Sequence, residues 1–190
     1  MTSSGQAATP ALEELLKDAA LAGSWTLDSS KSTVGLKSKS MWGLVPVKGV
    51  FREVTGEGTV SPAGQVAGRV AVAAASVDTK NKKRDTHLRS ADFFDSDNYP
   101  DITFTVNQAT PAGPGVTVAG DLTVRDRTRP VTFDARVSVV DSGEIWFDAE
   151  VQVNRADFGL TWNQMGMAGM HNTITVHAVR SEERRVGKEC

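Results

Sequence analysis

The stretch VDTKNKKRDTHLRSADFFDSDNYPDITF, Val77 to Phe104, decides how the chain is read, because it interrupts a pattern that otherwise repeats along the sequence. Lys80 to Leu88 shows no strand alternation, so a short charged helix is expected there, with Asp78 and Thr79 available as N-caps. The Tyr99-Pro100 step then forces the backbone extended, and Ile102-Thr103-Phe104 resumes the alternation.

Outward from this block the chain reads as β-strands. Val66, Gly68, Val70, Val72 and Ala74 share one face, as do Ile102, Phe104 and Val106, and then Val116, Val118, Gly120, Leu122 and Val124. The same parity groups Val131, Phe133, Ala135, Val137 and Val139; Ile145, Phe147, Ala149, Val151 and Val153; and Ile174, Val176 and Ala178. With Trp25–Leu27, Val34–Leu36 and Val47–Phe51 added, there are about eight strands, a number at which a closed barrel either fills itself or holds one small ligand. Closure also removes exposed sheet edges.

Trp25, Asp28, Gly49, Phe51, the Leu122-Thr123-Val124 to Thr128-Arg129-Pro130-Val131 segment, Arg155-Ala156-Asp157-Phe158-Gly159 and the block at 77–104 together resemble the YceI family, over roughly 23–179. The resemblance implies an all-β fold: an eight-stranded antiparallel lipocalin-like barrel with a short helical excursion, enclosing an elongated apolar cavity. It also implies polyisoprenoid or related amphipathic lipids as ligands, and no chemistry. On this reading residues 1–22 are a helical extension, 23–179 the barrel and 180–190 a charged tail.

Composition agrees with one domain, since 190 residues at 39% hydrophobic and 23% charged supply a single core. A net charge of -2 lacks the basic excess of a phosphate-backbone binder, so no nucleic acid partner is expected. No stretch is apolar enough for stable membrane insertion. The first residues carry Glu13, Glu14, Lys17 and Asp18 where a secretory signal would be apolar, and Cys190 is the only cysteine, so the cytoplasm is the expected compartment. Thr9 to Ala20 is expected to be helical, with Thr9 as N-cap, Pro10 at the first position, and Leu12, Leu15, Leu16 and Ala19 on one face covering part of the barrel. RSEERRVGKEC, from Arg180, is charged without period and resembles read-through into unrelated sequence, with a genuine disordered tail as the alternative.

Function turns on whether the interior is filled. The inward faces are rich in Val, Ala and Gly, and aromatic residues make up only 6% of the chain, so small side chains leave volume for a lipid tail. The candidate ligand-binding residues are Leu36, Trp42, Phe51, Val70, Val72, Phe104, Gly120, Leu122, Phe133, Phe147, Ala149, Trp162, Met165 and Met167. For a charged head group the candidates are Lys82, Arg84 and Arg89, beside the competing reading that a charged run on a short helix is simply solvated. Arg84, Asp85 and His87 also fit a structural task, an Arg-Asp pair with polar contacts that pins the excursion to the wall.

Met165, Met167, Met170 and His171 form a rival site, since thioethers with an imidazole suit Cu(I). The same residues equally make an adaptable apolar lip, and a cytoplasmic copper site would draw on cysteine thiolate. None of His87, His171 and His177 stands in a metalloprotease or nucleophile motif, and no phosphate loop appears, so neither catalysis nor a cofactor is expected. The partner expected is an isoprenoid or other long-chain lipid, with a homodimer through the outward Trp146 as a further possibility. A filled structural barrel is the third alternative.

Overall fold

The structure, a computed structural model, describes residues 22–140, 144–166 and 168–181. The alternating segments become strands β1 (Gly23–Leu27), β2 (Thr33–Ser40), β3 (Val45–Phe51), β4 (Val54–Val60), β5 (Val66–Ala73) and the two-residue β6 (Val77–Asp78). After helix α1 (Lys82–Arg89) come β7 (Asp101–Ala112), β8 (Gly115–Val124), β9 (Arg127–Val139), β10 (Ile145–Asn154) and β11 (His171–Ser181). Every pairing is antiparallel, which suits short connections between sequence neighbours.

β1 and β2 lie along the same edge of β11, where Leu27 opposes Arg180 and Leu36 opposes Ile174. They are two halves of one stave, broken at a turn where the Asp28 carbonyl accepts from Ser32 N–H at 2.9 Å and its carboxylate from Ser30 N–H at 3.0 Å. β3 and β4 form a second broken stave. Its interruption is held by Ser76, whose carbonyl and hydroxyl accept from the N–H groups of Arg52 and Glu53, both at 3.2 Å. With each broken stave counted once, eight antiparallel staves close through the β1–β11 pairing.

β4 is absent from the sequence expectation. Its sequence, VTGEGTV, replaces inward apolar residues with Gly56 and Gly58, which hides the alternation. The tertiary reason is Trp25: a Cβ on Gly58 would stand 2.6 Å from its Cε2, and one on Gly68 of β5 would stand 2.8 Å from its Cζ2. The indole therefore lies across two glycines and floors one end of the barrel.

The opposite end is covered by the excursion at 74–100 and by the β10–β11 connection. Asn81 is the N-cap of α1, accepting from Arg84 N–H at 3.0 Å, rather than Asp78 or Thr79. Those two are committed elsewhere, Asp78 to a β6 pairing with β3 and Thr79 to Asp85. The buried Asp85 carboxylate accepts from Thr79 N–H at 2.9 Å and from its hydroxyl at 2.6 Å, while Arg84 Nε donates to the same hydroxyl at 2.8 Å. The expected Arg-Asp pair is thus relayed through Thr79. Arg89 donates to the carbonyls of Ala75 and Val77 at 2.7 and 3.0 Å, and Arg125 to those of Ala91 and Phe93 at 3.2 and 3.3 Å. Ala74, Val77 and Phe94 are buried in one cluster with Phe51, Val54 and Val72 of the barrel wall, and Phe94 meets Phe51 edge-on at 5.8 Å, so the excursion packs into the barrel core.

β11 runs to Ser181, two residues beyond the expected boundary at 179, because Ser181 still pairs with Thr26. The expected N-terminal helix and the rest of the charged tail lie outside the described residues. Among the described residues no helix is long and apolar enough to cross a membrane.

Candidate functional site: an apolar cavity through the barrel

Inward side chains of all eight staves surround a cavity of about 530 Å³. The parity read from the sequence places them there. Leu36 and Phe51 line it from the first two staves, Val70 and Val72 from β5, Phe104 from β7 and Leu122 from β8. Phe133, Phe147 and Ala149 line it from β9 and β10, and Trp162 from the β10–β11 connection. Phe104 and Phe133 meet at 5.4 Å between ring centroids, the only aromatic pair among the described residues that joins two staves across the lining.

Other candidates sit elsewhere. Trp42 and Met165 are 68% and 83% exposed and lie outside the lining, Trp42 because the β2–β3 turn carries it away from the barrel and Met165 because its short 3-10 turn does the same. Met167 lies outside the described residues. Gly120 points at the interior but Phe104 covers it: an added Cβ would stand 2.6 Å from Phe104 Cζ and collide with the Thr105 carbonyl oxygen. Its inward surface belongs to a ring already in place. A larger residue at this position would have to displace the Phe104 ring rather than occupy free volume.

Of the head-group candidates only Arg84 reaches the lining. Lys82 is exposed on α1, and Arg89 spends its guanidinium on the carbonyls that fix the excursion, so packing claims it. For the soft-metal reading, His171 is exposed at the start of β11 and Met170 is partly buried. Among the described residues no three His, Cys, Asp or Glu side chains group as metal ligands. Trp146 lies on the outer face, partly buried edge-on against His177 at 5.2 Å, and His177 in turn meets Asp148 at 2.6 Å.

Beside Trp162, the structure adds lining residues that the sequence did not assign to the cavity. At the capped end His87 stacks edge-on against Phe93 and Trp162 at 5.1 and 4.4 Å, and Phe93 meets Trp162 at 5.3 Å. The Arg155 guanidinium lies over the Phe93 ring at 5.4 Å, and Thr79 and Asn172 complete this polar end. Arg155 is 6% exposed, and burial holds its guanidinium below the usual arginine value. Its position in Arg155-Ala156-Asp157-Phe158 was visible in the sequence, but its burial was not. An arginine following an alternating strand reads as solvated until the 155–170 segment is folded over it.

The family model for the YceI-like domain matches residues 25–179. Protein YceI of Escherichia coli is 34% identical over 120 residues, covering 59% of this chain and 62% of that protein, so the match spans less than two thirds of the relative's length. Among solved structures, BcnA of Burkholderia cenocepacia aligns with a TM-score of 0.74 at 25% identity, covering 82% of this chain and 99% of that one. A polyisoprenoid binding domain from Saccharophagus degradans shares the fold, with a TM-score of 0.66 at 15% identity over 83% and 97% of the two chains. The staves, the excursion over one end and the matched span from Trp25 to Val179 agree, and the chain belongs to the YceI-like domain family.

Proposed function

We propose that this protein binds and carries an amphipathic long-chain lipid of isoprenoid type, a quinone or polyprenyl phosphate, without catalysing a reaction. The observation that supports this reading is the cavity itself. A space of about 530 Å³ leaves the apolar side chains around it without packing partners on their inner side. Water is a poor occupant of walls built from Val, Leu, Ile and Phe, whereas a lipid tail supplies the missing contacts. The fold shared with the Saccharophagus degradans domain, described as polyisoprenoid binding, points the same way.

Exchange is reversible because the competing state of such a lipid is a membrane, itself apolar, so the transfer free energy is small. Native mass spectrometry after gentle purification tests the proposal. A co-purifying lipid, or stoichiometric uptake from added isoprenoid, is the expected result; a protein that neither retains nor takes up lipid is a filled barrel, and the proposal fails.

A further inference from the structure

Among the described residues, the charged side chains that line the cavity are all basic: Lys39, Arg84, Arg155 and Arg180. Arg155 is the one of these that is more than nine-tenths buried. Its Nε donates to the Gly169 carbonyl at 2.9 Å and its Nη2 to that of Ala168 at 3.2 Å, while Nη1 is buried with no hydrogen-bond partner among the described residues. Two carbonyls and the Phe93 ring orient the cation without neutralising it. Arg125, also buried in part, differs in having the Asp95 carboxylate at 3.9 Å. A buried cation with a spare N–H edge and no counter-charge among the described residues is a costly arrangement that an anion relieves.

We propose that Arg155 seats an oxyanion at the polar end of the bound lipid, so the ligand is an anionic amphiphile, a long-chain carboxylate or phosphate, with its head beneath α1 and its tail toward Trp25. This rests on the carrier reading and selects among its ligands, favouring an acid over a neutral quinone. Guanidinium suits the role because its planar N–H groups match oxyanion geometry and stay protonated on burial.

The test is displacement of the neutral dye N-phenyl-1-naphthylamine from delipidated protein by hexadecanoate, hexadecan-1-ol and inorganic phosphate. Hexadecanoate should bind at least about tenfold tighter than the alcohol, as a charge-assisted hydrogen bond implies, and Arg155→Met should bring the two within about threefold. Phosphate alone should not compete. Equal affinity for acid and alcohol in the unaltered protein, or failure of both to displace a bound dye, would overturn the head-group assignment while leaving the carrier reading intact; failure of the dye, the acid, the alcohol and an added isoprenoid all to bind would remove the carrier reading. Competition by free phosphate would overturn the assignment to a lipid. Should Arg155→Met not fold, carboxyl-13C hexadecanoate bound to the unaltered protein decides: it should ionise at lower pH than in neutral detergent micelles, and an equal or higher midpoint refutes the pairing.

A separate surface stands on different observations. The exposed large hydrophobic side chains among the described residues are Met41, Trp42, Leu44, Val45 and Met165, all at the capped end. Met41, Trp42 and Gly43 all have left-handed backbones, with φ of 49, 57 and 88°, which costs a non-glycine residue of the order of 1 kcal/mol and holds the indole outward. Exposed Lys37, Lys39 and Lys48 flank this tip, and no acidic residue occurs from Ser29 to Arg52. Lys39 and Ser40 also line the cavity, so tip and cavity are continuous.

We infer that the β2–β3 tip docks on an anionic membrane surface, indole and leucine in the interface and lysines on the head groups, where lipid exchanges with the cavity. In flotation with phosphatidylcholine vesicles, adding phosphatidylglycerol should recruit the protein, and high salt or the double variant Trp42→Ser, Leu44→Ser should release it. Both side chains are exposed, so the variant should keep its circular dichroism. No flotation, or flotation undiminished in the double variant, would refute the docking.

Discussion

Placing a phenyl ring inside the barrel separates an open interior from a filled one. Ala149 opposes Val176 on one side and Ala135 on the other, and its methyl faces the cavity beside Val116, Val118 and Val137. In a filled core, Ala149→Phe would overpack by about 1–3 kcal/mol, lowering Tm by roughly 2–12 °C for a domain of this size. In the cavity seen here the ring meets open space between small side chains, and stability should stay within about 0.5 kcal/mol or rise. Its six carbons would exclude roughly six methylene-sized groups of ligand, at ~0.8 kcal/mol each about 5 kcal/mol, or three to four orders of magnitude in affinity measured from water. Thermal unfolding paired with N-phenyl-1-naphthylamine binding reads both quantities. A large loss of Tm with ligand binding unchanged would refute the reasoning, because it would mean the site was packed and the lipid bound elsewhere.

Three further predictions follow from the packing and the ion pairs. Gly120→Ala, which adds a single methyl, should destabilise by about 1–3 kcal/mol in urea unfolding, because its Cβ meets the Thr105 carbonyl and the Phe104 ring; a neutral outcome would show that β7 and β8 can separate. Asp85→Ala strands the buried N–H and hydroxyl of Thr79, so a loss of about 1–3 kcal/mol is expected, and less than about 0.5 kcal/mol would mean that water replaces the carboxylate. The Asp78 carboxyl is held down to about 2 by the Lys80 N–H, and then by Arg52 at 2.9 Å. A carboxyl depressed in the folded state stabilises above its unfolded value and loses that contribution as pH falls through its folded one, so its 13C signal should titrate near 2 and an ordinary midpoint would contradict the contacts.

Much of the wall was legible because strand periodicity is a local property. Ile102, Phe104, Val131, Phe133, Phe147 and Ala149 occupy inward positions that alternation alone assigned. β4 was not legible, since Gly56 and Gly58 carry no apolar signal until Leu27 and Trp25 are laid across them. Nor was the cap of α1, because Asp78, Thr79 and Asn81 are all competent N-caps, and only the β6 pairing and the Asp85 contacts leave Asn81 for the task.

By itself the sequence determined that the span from β1 to β11 is a β-barrel wall with one helical interruption and small inner side chains, because those follow from which residues sit at every second position. Whether the small side chains enclose space, and where charge is buried within it, was decided by closure of the staves and by the 155–170 segment folding over Arg155. Burial of one arginine depends on carbonyls and rings distant in the chain, and no local pattern records which of several basic residues will be covered.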